Sequence, residues 1–181
     1  MKKIFLLLGM SGSGKTTISK ELKLKNNNIE HYSIGNKFRE IAKNDKELAK
    51  YVFNGKRVPF EMSKKVIENI VKNFEKDIIL IDGYPRDTEQ MKFFTELLIK
   101  NNFLLQNVFE IKIDEEVSKK RVLNRNRGKD DNVKVFEDRL QDYNYQMKDI
   151  RLYYTDIFIE IEGNLETHDI VENLENKYFT N

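Results

Sequence analysis

The segment Leu6-Leu7-Leu8-Gly9-Met10-Ser11-Gly12-Ser13-Gly14-Lys15-Thr16-Thr17 runs an apolar stretch into a glycine-rich turn and then a helix start. Gly9, four further residues and Gly14-Lys15-Thr16 fit the pattern G-x-x-x-x-G-K-[ST]. Such a loop curls successive backbone N–H groups around a phosphate, because glycine reaches positive φ and has no Cβ to hold the anion away. The helix that follows presents its positive dipole end and unpaired N–H groups to the same anion. Gly9, Gly12, Ser13, Gly14, Lys15, Thr16 and Thr17 are therefore the candidate triphosphate cradle, with Lys15 as a point charge. The Thr16 hydroxyl is a candidate ligand for Mg²⁺, a cation that prefers oxygen donors and arrives with the nucleotide's own phosphate oxygens. A nucleotide with Mg²⁺ is the expected ligand.

At 181 residues, the chain suits one domain with a proper core and no need of disulfides. It has no cysteine, which removes thiolate metal sites and cysteine nucleophiles and fits a reducing, cytoplasmic setting. The 32 basic residues against 30 acidic ones leave a formal charge of +2, so no strong field invites nucleic acid or a membrane surface. Small-molecule nucleotides acting on a monomer are the expected partners. Lys2-Lys3 followed by Ile4–Leu8 looks like the start of an export signal. The apolar run is short, however, and leads directly into the phosphate loop. No stretch approaches the roughly 20 apolar residues of a membrane span.

Five apolar strand candidates alternate with helical stretches: Ile4–Leu8, Ile29–Ser33, Ile78–Ile81, Val108–Ile113 and Ile157–Ile161. Helices are expected over Lys15–Lys25, Asn36–Ala42, Asp45–Phe53, Pro59–Phe74, Thr88–Lys100, Glu115–Arg125, Asn132–Tyr154 and Glu166–Tyr178. Continuous apolar strands in βα alternation imply an α/β fold: a doubly wound, five-stranded parallel sheet of the P-loop NTPase type. Helices cover both faces, and ligands sit at the carboxyl ends of the strands. The strand Ile78-Ile79-Leu80-Ile81 ends on Asp82, the place where a P-loop protein keeps an acid that holds Mg²⁺ through a water.

Lysine is the default cation here; eight of the 32 basic residues are arginine. Where arginine persists against that bias, bidentate phosphate contact is a physical reason, since lysine cannot offer a planar fork. Random scatter is the alternative, and position decides between them.

Asp82-Gly83-Tyr84-Pro85-Arg86 resembles the D-G-[FY]-P-R signature of the adenylate kinase and UMP/CMP kinase family. Other segments follow in that family's order. Ser33-Ile34-Gly35-Asn36-Lys37-Phe38-Arg39 resembles its S-x-G-D-x-x-R segment, and Gly55-Lys56-Arg57-Val58-Pro59 its loop over the acceptor nucleotide. Arg121 to Arg125, Asp130-Asp131-Asn132, and Arg139-Leu140 with Tyr143 resemble the lid and the helix after it. The resemblance implies a nucleoside monophosphate kinase moving the γ-phosphoryl of Mg-ATP to an acceptor nucleotide, with a core (1–33, 76–121, 136–181), an acceptor segment (34–75) and a short lid (122–135). It implies acceptor contacts from Ser33, Gly35, Arg39, Val58, Gly83, Arg86 and Gln90. Arg121 and Gly163 would lie against the donor's adenine, and Lys15, Arg86, Arg125, Arg127 and Arg139 would act on the transferring phosphoryl. Six of the eight arginines then fall in or beside motif segments, as phosphate recognition requires. Phosphoryl transfer of this kind asks for convergent cations and exclusion of water rather than a general base.

The chain departs from the family in three places. Gly128 stands where a lid arginine is usual, with Arg127, the preferred substitute, and Lys129 beside it. Asn36 replaces an aspartate and is expected to keep a helix-capping role. Ile34 replaces the threonine typical of adenylate kinases, whereas Gln90 resembles their adenine-reading glutamine. AMP is the expected acceptor, with UMP/CMP or broad acceptance as the alternative. Non-nucleotide substrates and a non-catalytic nucleotide-binding module are further alternatives. His31 and His168 are too few for a metal site, and Tyr143, Tyr145, Tyr153 and Tyr154 are expected to pack on the long helix rather than stack on nucleic acid.

Overall fold

The computed structural model describes residues 2–125 and 131–179. Five strands, β1 (Lys3–Leu8), β2 (Ile29–Ser33), β3 (Ile78–Asp82), β4 (Leu104–Lys112) and β5 (Phe158–Glu162), form one parallel sheet in the order β2-β3-β1-β4-β5. Along β1, Ile4, Leu6 and Leu8 enter one core with Ile79, Ile81, Phe94 and Met147, while Phe5 and Leu7 enter a second with Leu80, Phe109, Ile111 and Val171. Both faces are buried, so the strand reads as a continuous apolar run rather than an alternating one.

Around the sheet lie α1 (Lys15–Lys25), α2 (Ile34–Ala42), α3 (Lys46–Val52), α4 (Phe60–Asn73), α5 (Thr88–Lys100), α6 (Glu115–Asn124), α7 (Val133–Tyr153) and α8 (Thr167–Leu174). Asp45, Asp87 and Asn132 cap α3, α5 and α7 by accepting from backbone N–H groups two or three residues on. α1 has no acidic residue in its first turn and begins from Gly14 at φ 92°, so its N-terminal amides face the loop before it.

Four local expectations change. β4 begins at Leu104, not Val108, because Lys3 and Ile4 of β1 pair with Leu104 and Leu105. The register then shifts between Ile4 and Phe5, so Gln106 is passed over and backbone pairing carries the strand through a polar stretch. α2 starts at Ile34, two residues before Asn36. The last helix stops at Leu174 and continues as a wider turn over Glu175–Phe179, which buries Phe179 with its ring centroid 4.5 Å from that of Phe5. Along α7 and its C-terminal cap, Tyr154 is buried and Tyr143 partly so, but Tyr145 and Tyr153 are 70% and 48% exposed. A helix of 21 residues lying on one surface cannot turn all four rings inward.

Candidate functional site

The carboxyl ends of β1, β2 and β3 open into a cavity of about 560 Å³. The phosphate loop forms its floor, with Gly9, Gly12 and Gly14 all at positive φ. At Gly12 a Cβ would sit 2.6 Å from the Ser118 carbonyl oxygen of α6, so only glycine lets the loop pass under that helix. Lys15 Nζ donates to Gly9 O at 2.7 Å, Met10 O at 2.7 Å and Ser13 Oγ at 3.0 Å, which centres the ammonium on the concave side of the loop. Burial presses its pKa down to about 8, against the attraction of Asp82 and with help from Arg86 and Arg125.

Pairing of β2 with β3 sets Ser33 opposite Asp82. Asp82 Oδ1 then accepts from Ser33 Oγ at 3.1 Å and Thr16 Oγ1 at 3.2 Å, while Oδ2 lies 2.6 Å from His31 Nε2. The cluster is nearly dry, with the Asp82 and His31 side chains 4% and 6% exposed. A carboxylate with two hydroxyls beside a phosphate loop is an all-oxygen set on the cavity side, which fits Mg²⁺ better than any softer metal. His31 is the residue that sequence reasoning set aside. The available signal was strand alternation, which puts His31 on the same face of β2 as Ser33.

Facing the loop, Arg86 Nε donates to Gly83 O at 2.9 Å and its backbone N–H to Gln90 Oε1 at 2.9 Å. A Cβ on Gly35 would lie 3.4 Å from Arg86 Nη2 and 3.5 Å from Arg39 Nη2, so two guanidinium groups bracket the start of α2. Desolvation within the cavity, then repulsion from Arg139 and Arg39, lowers the Arg86 pKa to about 10. The side chain still reaches water there, so the crowding of like charges is the cause that matters for binding. Arg121, Arg125 and Arg139 line the same cavity. Arg121 and Arg125, one turn apart on α6 and its C-terminal cap, do share a face; Arg125 pairs with Asp131 at 2.6 Å.

Other predicted residues fall into place unevenly. Gly9, Gly12, Gly14, Thr16, Thr17, Ser33, Gly35, Arg39, Val58, Asp82 and Gly83 line the cavity. Ser13 does not line it; its hydroxyl accepts from Lys15 Nζ. Gln90 is 3% exposed, lies outside the cavity lining and gives its carbonyl to the Arg86 amide. Gly163 is buried against β4, its N–H on Lys112 O at 2.6 Å; a side chain there would meet Ile111. Arg127 lies outside the described residues. Asn36 caps no helix: its Oδ1 accepts from Arg39 Nη2 at 2.6 Å, because α2 starts earlier and Ser33, at the capping position, spends its hydroxyl on Asp82.

Lining residues outside the sequence motifs are Val52, Asp142, Gln146, Met147 and Thr167. Arg57, read as part of the acceptor loop without a role, forks between Asp87 (3.0 Å) and Asp142, tying that loop to α5 and α7. Among the described residues no helix is long and apolar enough to cross a membrane, and no group of three or more His, Cys, Asp or Glu gathers as a metal cluster.

The family model described as adenylate kinase matches residues 7–158. Relatives named adenylate kinase from Nautilia profundicola and Helicobacter hepaticus are each 39% identical over 97% of this chain, covering 95% and 96% of those proteins. One of the same name from Wolinella succinogenes is 40% identical over 97% of this chain and 96% of its own length. Agreement that runs from the phosphate loop through the arginine-lined wall to the last strand places this chain in the adenylate kinase family.

Proposed function

We propose that the cavity binds ATP and AMP end to end and passes the γ-phosphoryl between them, giving two ADP. One observation carries this reading: cations from five separate segments of the chain meet at one glycine-walled floor, where Lys15, Arg39, Arg86, Arg121, Arg125 and Arg139 all line a single space. Two anionic nucleotides and a metaphosphate-like transition state are the load that such a ring neutralises.

In this reading the amides of residues 9–17, Lys15 and Arg121 hold the donor. Ser33, Gly35, Arg39, Gly83 and Arg86 hold the acceptor's phosphate, and Phe38, Val52 and Val58 give its base an apolar seat. Arg125 and Arg139, with Arg127 from the lid, meet the charge that develops on the moving group. Thr16, and Asp82 through a water, would hold Mg²⁺, which supplies charge neutralisation and alignment to the donor's phosphates when bound. The acceptor's phosphate oxygen is already an anion, so the side chains orient and neutralise rather than take a proton. We further propose the core, acceptor-segment and lid division at 34–75 and 122–135, a monomer, and a cytoplasmic setting without nucleic-acid or membrane partners.

Offering ATP with AMP, UMP, CMP, GMP and dTMP in turn, and measuring ADP, tests the reading. AMP should give the highest rate. UMP or CMP ahead of AMP overturns the base assignment, and no acceleration by any acceptor overturns phosphoryl transfer altogether.

A further inference from the structure

Glu110 takes no part in the chemistry above, yet it has no solvent exposure and sits on β4 opposite Leu8, the residue before the phosphate loop. Its Oε2 accepts from Arg151 Nε at 2.9 Å, and its Oε1 from Arg151 Nη2 at 2.6 Å and from the Tyr143 hydroxyl. Burial and then the neighbouring carboxylate keep that phenol protonated, so it remains a donor. Tyr143 also lines the cavity, as does Arg139 one turn earlier on α7. Residues four apart share a helix face, so whatever fixes Tyr143 fixes the direction of Arg139.

A buried ion pair is weak evidence of a stability role, because apolar residues of similar volume often serve as well. Otherwise α7 docks through the apolar Phe136, Met147 and Ile150 and through ion pairs of Glu137 with Lys119 of α6 and of Asp142 with Arg57 of the acceptor loop, none of which reaches the sheet. Contacts of that kind permit small rotations of the helix against the sheet; a hydrogen bond to a side chain of β4 does not. We propose that Glu110, held by Arg151, is a positioning residue that sets the rotation of α7 through Tyr143 and so aims Arg139 at the transferring phosphate. This rests on the nucleotide-site reading above. It accounts for a carboxylate in the core: only that group can accept a guanidinium fork and a phenol at once.

The test compares the full-length protein with Tyr143→Phe and with the paired change Glu110→Leu/Arg151→Leu, reading kcat, KM, Tm and amide exchange over residues 133–153. Tyr143→Phe should stay folded with a Tm lower by only about 3–10 °C, and should lose about ten-fold in kcat, near 1.4 kcal/mol, with KM for ATP and AMP within about two-fold and faster exchange in α7. The paired change should keep a Tm near that of the parent and show the same kcat loss, and adding Tyr143→Phe to it should cost nothing further. Parental kcat and exchange in Tyr143→Phe overturn the proposal, as does full recovery of kcat in a paired variant that folds. If the paired variant fails to fold, Tyr143→Phe, which deletes one oxygen, decides alone. A parent inactive toward every acceptor would overturn the functional reading instead, while the exchange comparison still reports on the anchor.

Discussion

Arg86 allows a test in which charge and geometry separate. Its Nε is spent on the Gly83 carbonyl and its amide on Gln90, which leaves the two terminal nitrogens as a fixed fork over Gly35. Arg86→Lys keeps the charge but cannot both anchor on Gly83 and offer two donors to a phosphate. Losing one charge-assisted hydrogen bond costs about 1.5–3 kcal/mol, so kcat/KM for AMP should fall roughly ten- to 150-fold. Arg86→Ala loses both bonds and the charge and should fall further, by on the order of 10³. KM for ATP should stay within about two-fold in both, because the donor contacts proposed above are the phosphate-loop amides, Lys15 and Arg121. Crowding with Arg139 and Arg39 is relieved when the charge goes, so the Tm of free Arg86→Ala should hold or rise. A coupled ADP assay with either nucleotide varied, together with a thermal melt, reads all of this. An equal loss of ATP affinity, or an Arg86→Lys enzyme with parental kcat/KM for AMP, would refute the reasoning.

Three other expectations follow from single contacts. Asn36→Ala removes the acceptor that Arg39 Nη2 donates to and should raise KM for AMP by about three- to ten-fold, leaving KM for ATP alone, as steady-state kinetics would show. Asp82→Asn removes the carboxylate that faces Thr16 and should raise the Mg²⁺ needed for half-maximal rate by about 10–100-fold, read by titrating the metal at fixed ATP. Gly55 has φ +71° and a Cβ there would collide with Val135 Cγ1, so Gly55→Ala should cost about 2–4 kcal/mol and roughly 5–15 °C in Tm. Adding Val135→Ala should return the steric share but not the backbone share.

The motif residues show how far local information reaches. Gly9 to Thr17, the strand ending in Asp82, and the apolar runs of all five strands were legible because backbone freedom, hydrophobic burial and phosphate chemistry restrict residue type at each place. α1 and α5 appear with the expected ends for the same reason, Gly14 and Asp87 being strong boundary residues. The beginning of β4 was hidden, since Leu104-Leu105-Gln106-Asn107 becomes strand only through pairing with Lys3 and Ile4.

By itself, then, the sequence determined the parallel α/β plan, the phosphate floor and the scarce arginines, each of which is written in neighbouring residues. Tertiary structure alone decided which groups meet. His31 reaches Asp82 because two strands stand side by side; Gln90 turns inward because the Arg86 amide needs an acceptor; Asn36 leaves the helix cap for Arg39. Glu110, Tyr143 and Arg151 find one another across 33 to 41 residues of chain. A hydrogen bond is set by distance and direction in space, and no spacing along the chain encodes either until the sheet has brought its strands together.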